Sequence, residues 1–214
     1  PIYTDKILKN LIDLKEDGTF MLNQKYFNYS TGLTMTNKKF DELFGYKPRK
    51  PNSEKITQFH MDIAASIQKV TEKIMLLLVR SLKNEYGINN LCLAGGVALN
   101  CVANGKILKE KIFENIWVQP AAGDAGGSLG AALAYWHIDL NNNRKETNKD
   151  NMQGSYLGNE FKDDEIIKKL DLIGAEYERL EEKEIIEKTA QDLAEGKAVG
   201  WFQGRMEFGP RALG

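Results

Sequence analysis

Two short apolar runs constrain the fold of this chain more than any other feature. Asn90-Leu91-Cys92-Leu93-Ala94 stops at Gly95-Gly96, and Ile116-Trp117-Val118-Gln119-Pro120 stops at Ala121-Ala122-Gly123-Asp124-Ala125-Gly126-Gly127. Each run has the length of a buried strand, and each glycine loop opens a stretch of helical composition, NCVANGKILKE after the first and SLGAALAYWH after the second. Strand, glycine turn and helix, twice in succession, predict an α/β layer in which both loops lie at the carboxyl edge of the strands, where ligands bind in open α/β sheets.

The segment before the first run has a helical period. Ile63, Ile67, Val70, Ile74, Leu77, Leu78 and Leu82 recur at steps of three and four, Asp62 suits the positive N-terminal end and Gly87 closes the helix. Upstream, Pro48 and Pro51 predict a loop near position 50. Residues 141–153 are rich in Asn and Lys with little to bury, which predicts a linker between a domain at 1–140 and a second region at 154–214. That second region should contain a helix over Lys183–Ala194, a stop at Gly196 and a strand in AVGWF, before the loop QGRMEFGPRALG.

Composition excludes several classes. With 214 residues, 42% hydrophobic and 28% charged, the chain can bury a core. The 29 Lys and Arg nearly cancel the 30 Asp and Glu, so no nucleic-acid partner is expected. No apolar run is long enough to span a bilayer, so no membrane partner is expected and a cytoplasmic location is. Cys92 and Cys101 stand apart from any CxxC, which argues against a disulfide framework or structural zinc; Cys92 reads as a buried small hydrophobe. His60 and His137 read as residues at helix ends, and Trp117 and Trp201 as core.

Three motifs carry chemistry. Gly95 and Gly96 let backbone approach a ligand, helix-start N–H groups suit an anion, and Asn100 adds a donor and an acceptor fit for a ribose or an adenine edge; a tight turn with an incidental Asn explains the same residues. Asp124, flanked by Gly123 and Gly126, offers an exposed carboxylate to a metal or phosphate, although by itself it is better read as the cap of the helix that follows. Arg205 and Arg211 present planar, always charged forks for phosphate around Gly209-Pro210, and Glu207 is placed to hold one of them; a solvated charged turn is the plainer alternative.

Taken together and in order, AGGVALNCVANGK, QPAAGDAGGSLGAAL, SYLG and GWFQGRMEFGPRALG resemble the O-carbamoyltransferase family of nodulation and antibiotic-biosynthesis proteins, over roughly Phe59 to Gly214. The resemblance implies part of an actin-like ATPase (ribonuclease H-like) domain followed by the start of a second α/β domain that forms carbamoyl-adenylate. It implies ATP, carbamoyl phosphate and a hydroxyl-bearing small molecule as substrates, and a divalent metal of iron type, with Mg or Mn as alternatives. A homodimer is compatible with it. Carried over by position, Gly95, Gly96 and Asn100 match the nucleotide-facing loop and Asp124 the metal-ligand aspartate, while Arg205, Gly209 and Arg211 fall in the loop that handles carbamoyl phosphate. The family's HxxxH pair of metal ligands has no counterpart here, so the chain is expected to be a fragment incomplete for catalysis. An actin-like sugar kinase and a non-catalytic nucleotide-binding module are the competing readings; FGPRALG counts against the kinase.

Overall fold

The computed structural model describes residues 1–145 and 149–211. The chain divides into two compact units, Pro1–Gln119 and Pro120–Gly214. The expected linker at 141–153 therefore falls inside the second unit.

In the first unit, α1 (Thr4–Asn10) leads into an antiparallel hairpin of β1 (Ile12–Leu14) and β2 (Phe20–Leu22), with Ile12 opposite Leu22. Its turn holds Gly18 at φ +89°, and a Cβ there would lie 2.5 Å from the backbone nitrogen of Leu78, so only glycine fits both the conformation and the close approach. After α2 (Lys38–Phe44) and a coil through the two prolines comes α3 (Gln58–Tyr86), which Gly87 ends in the left-handed conformation. The helix starts one turn earlier than Asp62 suggests. Thr57 is its N-cap, and the Thr57 backbone N–H donates to His60 Nδ1 at 3.0 Å, so His60 serves the helix start.

α3 is the spine of this unit. Its first half joins Ile7, Leu11, Tyr26, Phe44, Val70 and Ile74 in one core, and Val79 in its second half joins Leu91, Ile107 and Phe113 in another. Ser66, fully buried, accepts from the Tyr3 backbone N–H at 3.0 Å and donates to the Asp62 carbonyl at 2.6 Å, which ties α1 to α3. Ile67 and Leu82, expected on the apolar face, are 43% and 44% exposed. A 29-residue helix contacts different neighbours along its length, so one straight stripe cannot describe its buried side.

Both predicted strands form: β3 (Asn90–Leu93) and β4 (Asn115–Val118) pair in parallel, Asn90 opposite Asn115 and Leu93 opposite Val118, with α4 (Cys101–Lys109) between them in sequence. Leu91 and Leu93 face the helices. Because strand side chains alternate, Cys92 takes the other side of the sheet and is exposed, as is Trp117 at 47%, contrary to the core positions expected for both.

The second unit contains α5 (Asp124–Ala134), a π-helical turn over Tyr135–Asp139, α6 (Asp163–Leu172) and α7 (Glu182–Ala194). α5 begins at Asp124 rather than Ser128 and buries no residue within the described chain. α7 and its stop at Gly196, φ +79°, match the sequence expectation, whereas α6 went unread. AVGWF forms no strand, and Trp201 is 54% exposed rather than core. β-propensity becomes a strand only against a hydrogen-bonding neighbour, and no described segment of this unit supplies one.

Candidate functional site

The turn after β3 is built to expose backbone. Gly95 sits at φ +92°, ψ +159°, a region open only to glycine, and a Cβ on either Gly95 or Gly96 would meet nothing within 4 Å. A 3-10 turn over Gly96–Leu99 follows, and then Asn100 caps α4: its Oδ1 accepts from the Ala103 N–H at 3.1 Å. One turn along α4, Asn104 donates from Nδ2 to the Ala98 carbonyl at 2.7 Å and pins the 3-10 turn to the helix. Asn104 Oδ1 is buried and finds no donor among the described residues.

Asn100 is also part of a network that sequence reasoning missed. Its side-chain amide exchanges two hydrogen bonds with that of Gln68 on α3, Asn100 Nδ2 to Gln68 Oε1 at 2.9 Å and Gln68 Nε2 to Asn100 Oδ1 at 3.2 Å. Gln68 Nε2 further donates to Glu72 Oε1 at 3.1 Å, and Lys106 on α4 pairs with Glu72 Oε2. Glu72 is 5% exposed. Burial pushes its carboxyl up, but hydrogen bonds from Lys106 and Gln68, with the charges of Lys106 and Lys69, outweigh burial and hold it below the usual glutamate range. The one sequence signal for this network was a carboxylate at position 72, between the apolar Val70 and Ile74 of the same helix.

β3 and β4 run in parallel, so both end at one edge of the sheet, and the Gln119 N–H donates to the Leu93 carbonyl there at 3.0 Å. The glycine turn at 95–96 therefore stands at the carboxyl edge, as expected.

In the second unit, Asp124 is the first residue of α5, with Gly123 rather than Asp124 as the N-cap. Its carboxylate is exposed and makes no hydrogen bond or ion pair among the described residues. Gly126 is required by packing: a Cβ there would come within 2.0 Å of the Ala121 carbonyl oxygen. No three His, Cys, Asp or Glu side chains of the described residues converge as metal ligands. Asp124 alone falls short of a divalent-cation site, which needs several oxygen or nitrogen donors.

The same unit brings SYLG and the arginine loop together. The Gly158 N–H donates to the Met206 carbonyl at 2.9 Å, Met206 returns a bond to Asn159 at 2.8 Å, and the Phe208 N–H donates to the Ser155 carbonyl at 2.7 Å. Gly158 has no room for a side chain, since a Cβ would lie 2.5 Å from Met206 Cβ. Arg205 reaches across this pairing to the Gly158 carbonyl at 2.8 Å and to Glu160 at 3.2 Å. Its carboxylate partner at 3.2 Å is Glu160, 45 positions away. Gly209 is half-buried in the bend at 208–211; Arg211 is exposed and unpaired among the described residues. Residues 212–214, the end of FGPRALG, lie outside the described residues.

The profile of the carbamoyltransferase N-terminus matches residues 2–133, and that of the carbamoyltransferase C-terminus matches residues 190–214. An uncharacterised protein of Synechocystis is 59% identical over 100% of this chain and 35% of its own length. Nodulation protein NolO of Bradyrhizobium diazoefficiens is 41% identical over 74% of this chain and 28% of its own. The 3'-hydroxymethylcephem-O-carbamoyltransferase of Streptomyces clavuligerus is 32% identical over 58% of this chain and 21% of its own. The chain spans about a third or less of the length of these relatives. None of these three relatives is named as a kinase.

Proposed function

The chain belongs to the carbamoyltransferase family, and from that premise we propose that it is part of an ATP-dependent O-carbamoyltransferase. The reaction has two steps: carbamoyl phosphate, water and ATP give carbamoyl-adenylate with release of phosphate and pyrophosphate, and the carbamoyl group then passes to a hydroxyl of a sugar or natural product with release of AMP and the hydroxyl proton. The observation that carries this reading is that matches to both ends of one family occur in order along one chain, at 2–133 and 190–214. Residues 1–140 then belong to an actin-like ATPase domain, and 154–214 begin the domain that forms the adenylate.

The residues divide the work as follows. Gly95 and Gly96 admit ATP to bare backbone at the carboxyl edge of the sheet, a position that supports nucleotide binding. Asn100 gives a polar contact beside them. Gly123 and Gly126 shape the turn that presents Asp124, which is proposed as one ligand of a divalent metal; the described residues bring no further His, Cys, Asp or Glu cluster to it. Arg211 neutralises phosphate charge and orients carbamoyl phosphate through its two-pronged donor set. Arg205 and Gly209 hold the backbone that aims it, and the hydrogen bonds of Arg205 to Gly158 and Glu160 support that role.

The test is carbamoyl-phosphate-dependent pyrophosphate release by the full-length protein of which this chain is proposed to be part. Arg211→Lys keeps the charge but loses one prong of a charge-assisted pair, so the rate should fall roughly tenfold to a hundredfold. A wild-type rate in that variant would leave FGPRALG as a structural turn.

A further inference from the structure

We propose that Gln68 and Glu72 are positioning residues that fix which end of the Asn100 amide faces the nucleotide, so that Asn100 acts there as a hydrogen-bond donor to an acceptor atom of ATP. This assignment rests on the nucleotide reading of the turn at Gly95.

The argument is one of satisfiability. A carboxylate can only accept, so Glu72 dictates that the neighbouring end of Gln68 is its NH2 group. Lys106, paired with the other oxygen of Glu72, is a cation and keeps that carboxylate ionised. Gln68 Nε2 then spends both hydrogens, one on Glu72 Oε1 at 3.1 Å and one on Asn100 Oδ1 at 3.2 Å. Gln68 Oε1 is left facing Asn100 and can only accept, which it does from Nδ2 at 2.9 Å. Asn100 Oδ1 also takes the Ala103 N–H at 3.1 Å, so both its lone pairs are used. One N–H of Asn100 Nδ2 remains. The polarity set at Lys106 is thus passed through two side chains to the N-cap of α4, next to the exposed glycines. The side chain that an isolated Asn offers as donor or acceptor becomes a donor only, suited to a ribose or phosphate oxygen or to a ring nitrogen lone pair. Glu72 is 5% exposed and one helical turn beyond Gln68 on α3, so it acts through Gln68 and not by contact with ligand.

The test is a double-mutant cycle on ATP affinity in the full-length protein, read by calorimetry and by the KM for ATP, with thermal unfolding measured alongside. Asn100→Ser keeps an N-cap side chain but loses the amide donor; it and Gln68→Leu should each weaken ATP binding and raise the KM for ATP roughly threefold to tenfold. The double variant should bind no more weakly than Asn100→Ser, because Gln68 acts only through Asn100. Glu72→Gln, which can present either end, should weaken ATP binding without changing the KM for carbamoyl phosphate. Wild-type ATP affinity in Gln68→Leu, or losses that multiply in the double variant, overturns the proposal. Failure of the wild type itself to bind ATP is a separate result: it overturns the nucleotide reading and this assignment with it.

Discussion

Glu72 is the residue whose chemistry most depends on its neighbours. Removing it leaves Lys106 and Gln68 without their acceptor, and losing one member of a buried pair ordinarily costs 3–5 kcal/mol. The Lys106 side chain is 40% exposed, so water recovers part of the loss and Glu72→Ala should cost about 1 to 3 kcal/mol in urea unfolding. The pH dependence has a definite sign. The folded-state carboxyl titrates below its unfolded value, so its contribution is complete at neutral pH and disappears as the pH falls below the ordinary glutamate value and through the lowered folded one. Wild type should therefore lose stability more steeply than Glu72→Gln between neutral pH and strongly acidic conditions. Parallel curves would remove Glu72 from the acid response.

Among elements, the pairing of 155–159 with 206–208 is the one most sensitive to a single atom. Gly158→Ala places a Cβ 2.5 Å from Met206 Cβ and 2.9 Å from the Met206 carbonyl oxygen, neither of which is the free end of a flexible side chain. The two segments must separate. The amide protons of Met206 and Phe208, which bond to Asn159 and Ser155, should then exchange roughly tenfold faster or more, while those of α7 stay unchanged. Exchange unaltered at Met206 would mean that Arg205 and the remaining backbone bonds hold the loop without close contact at Gly158. Much of α3, by contrast, could be read in advance: its period, its stop at Gly87 and the burial of Val70 and Ile74 are local properties of the sequence. The burial of Val79 and the exposure of Leu82 are not, because they depend on where β3 and α4 pack.

On the scale of the whole molecule, the first unit contains both of its core clusters within Pro1–Gln119. Residues 1–119 alone should accordingly unfold in one cooperative transition, with coincident circular dichroism and Trp117 fluorescence curves. A gradual, non-coincident melt would show that this core needs residues beyond 119. No helix of the described residues is long and apolar enough to cross a membrane.

What the sequence determined by itself is local. Strands at Asn90–Leu93 and Asn115–Val118, the turn at Gly95, the helices over 101–109 and 182–194 and the order of the family motifs follow from residues within a few positions of each other, where backbone preference and apolar period act. Tertiary structure decided the rest, because each remaining feature joins residues distant in sequence. Gln68 meets Asn100 across 32 positions, Lys106 meets Glu72 across 34, and Arg205 reaches Glu160 across 45. Cys92 and Trp117 came out exposed for the same reason: an apolar strand residue is buried only if something covers its side of the sheet, and that depends on packing, not on the residue.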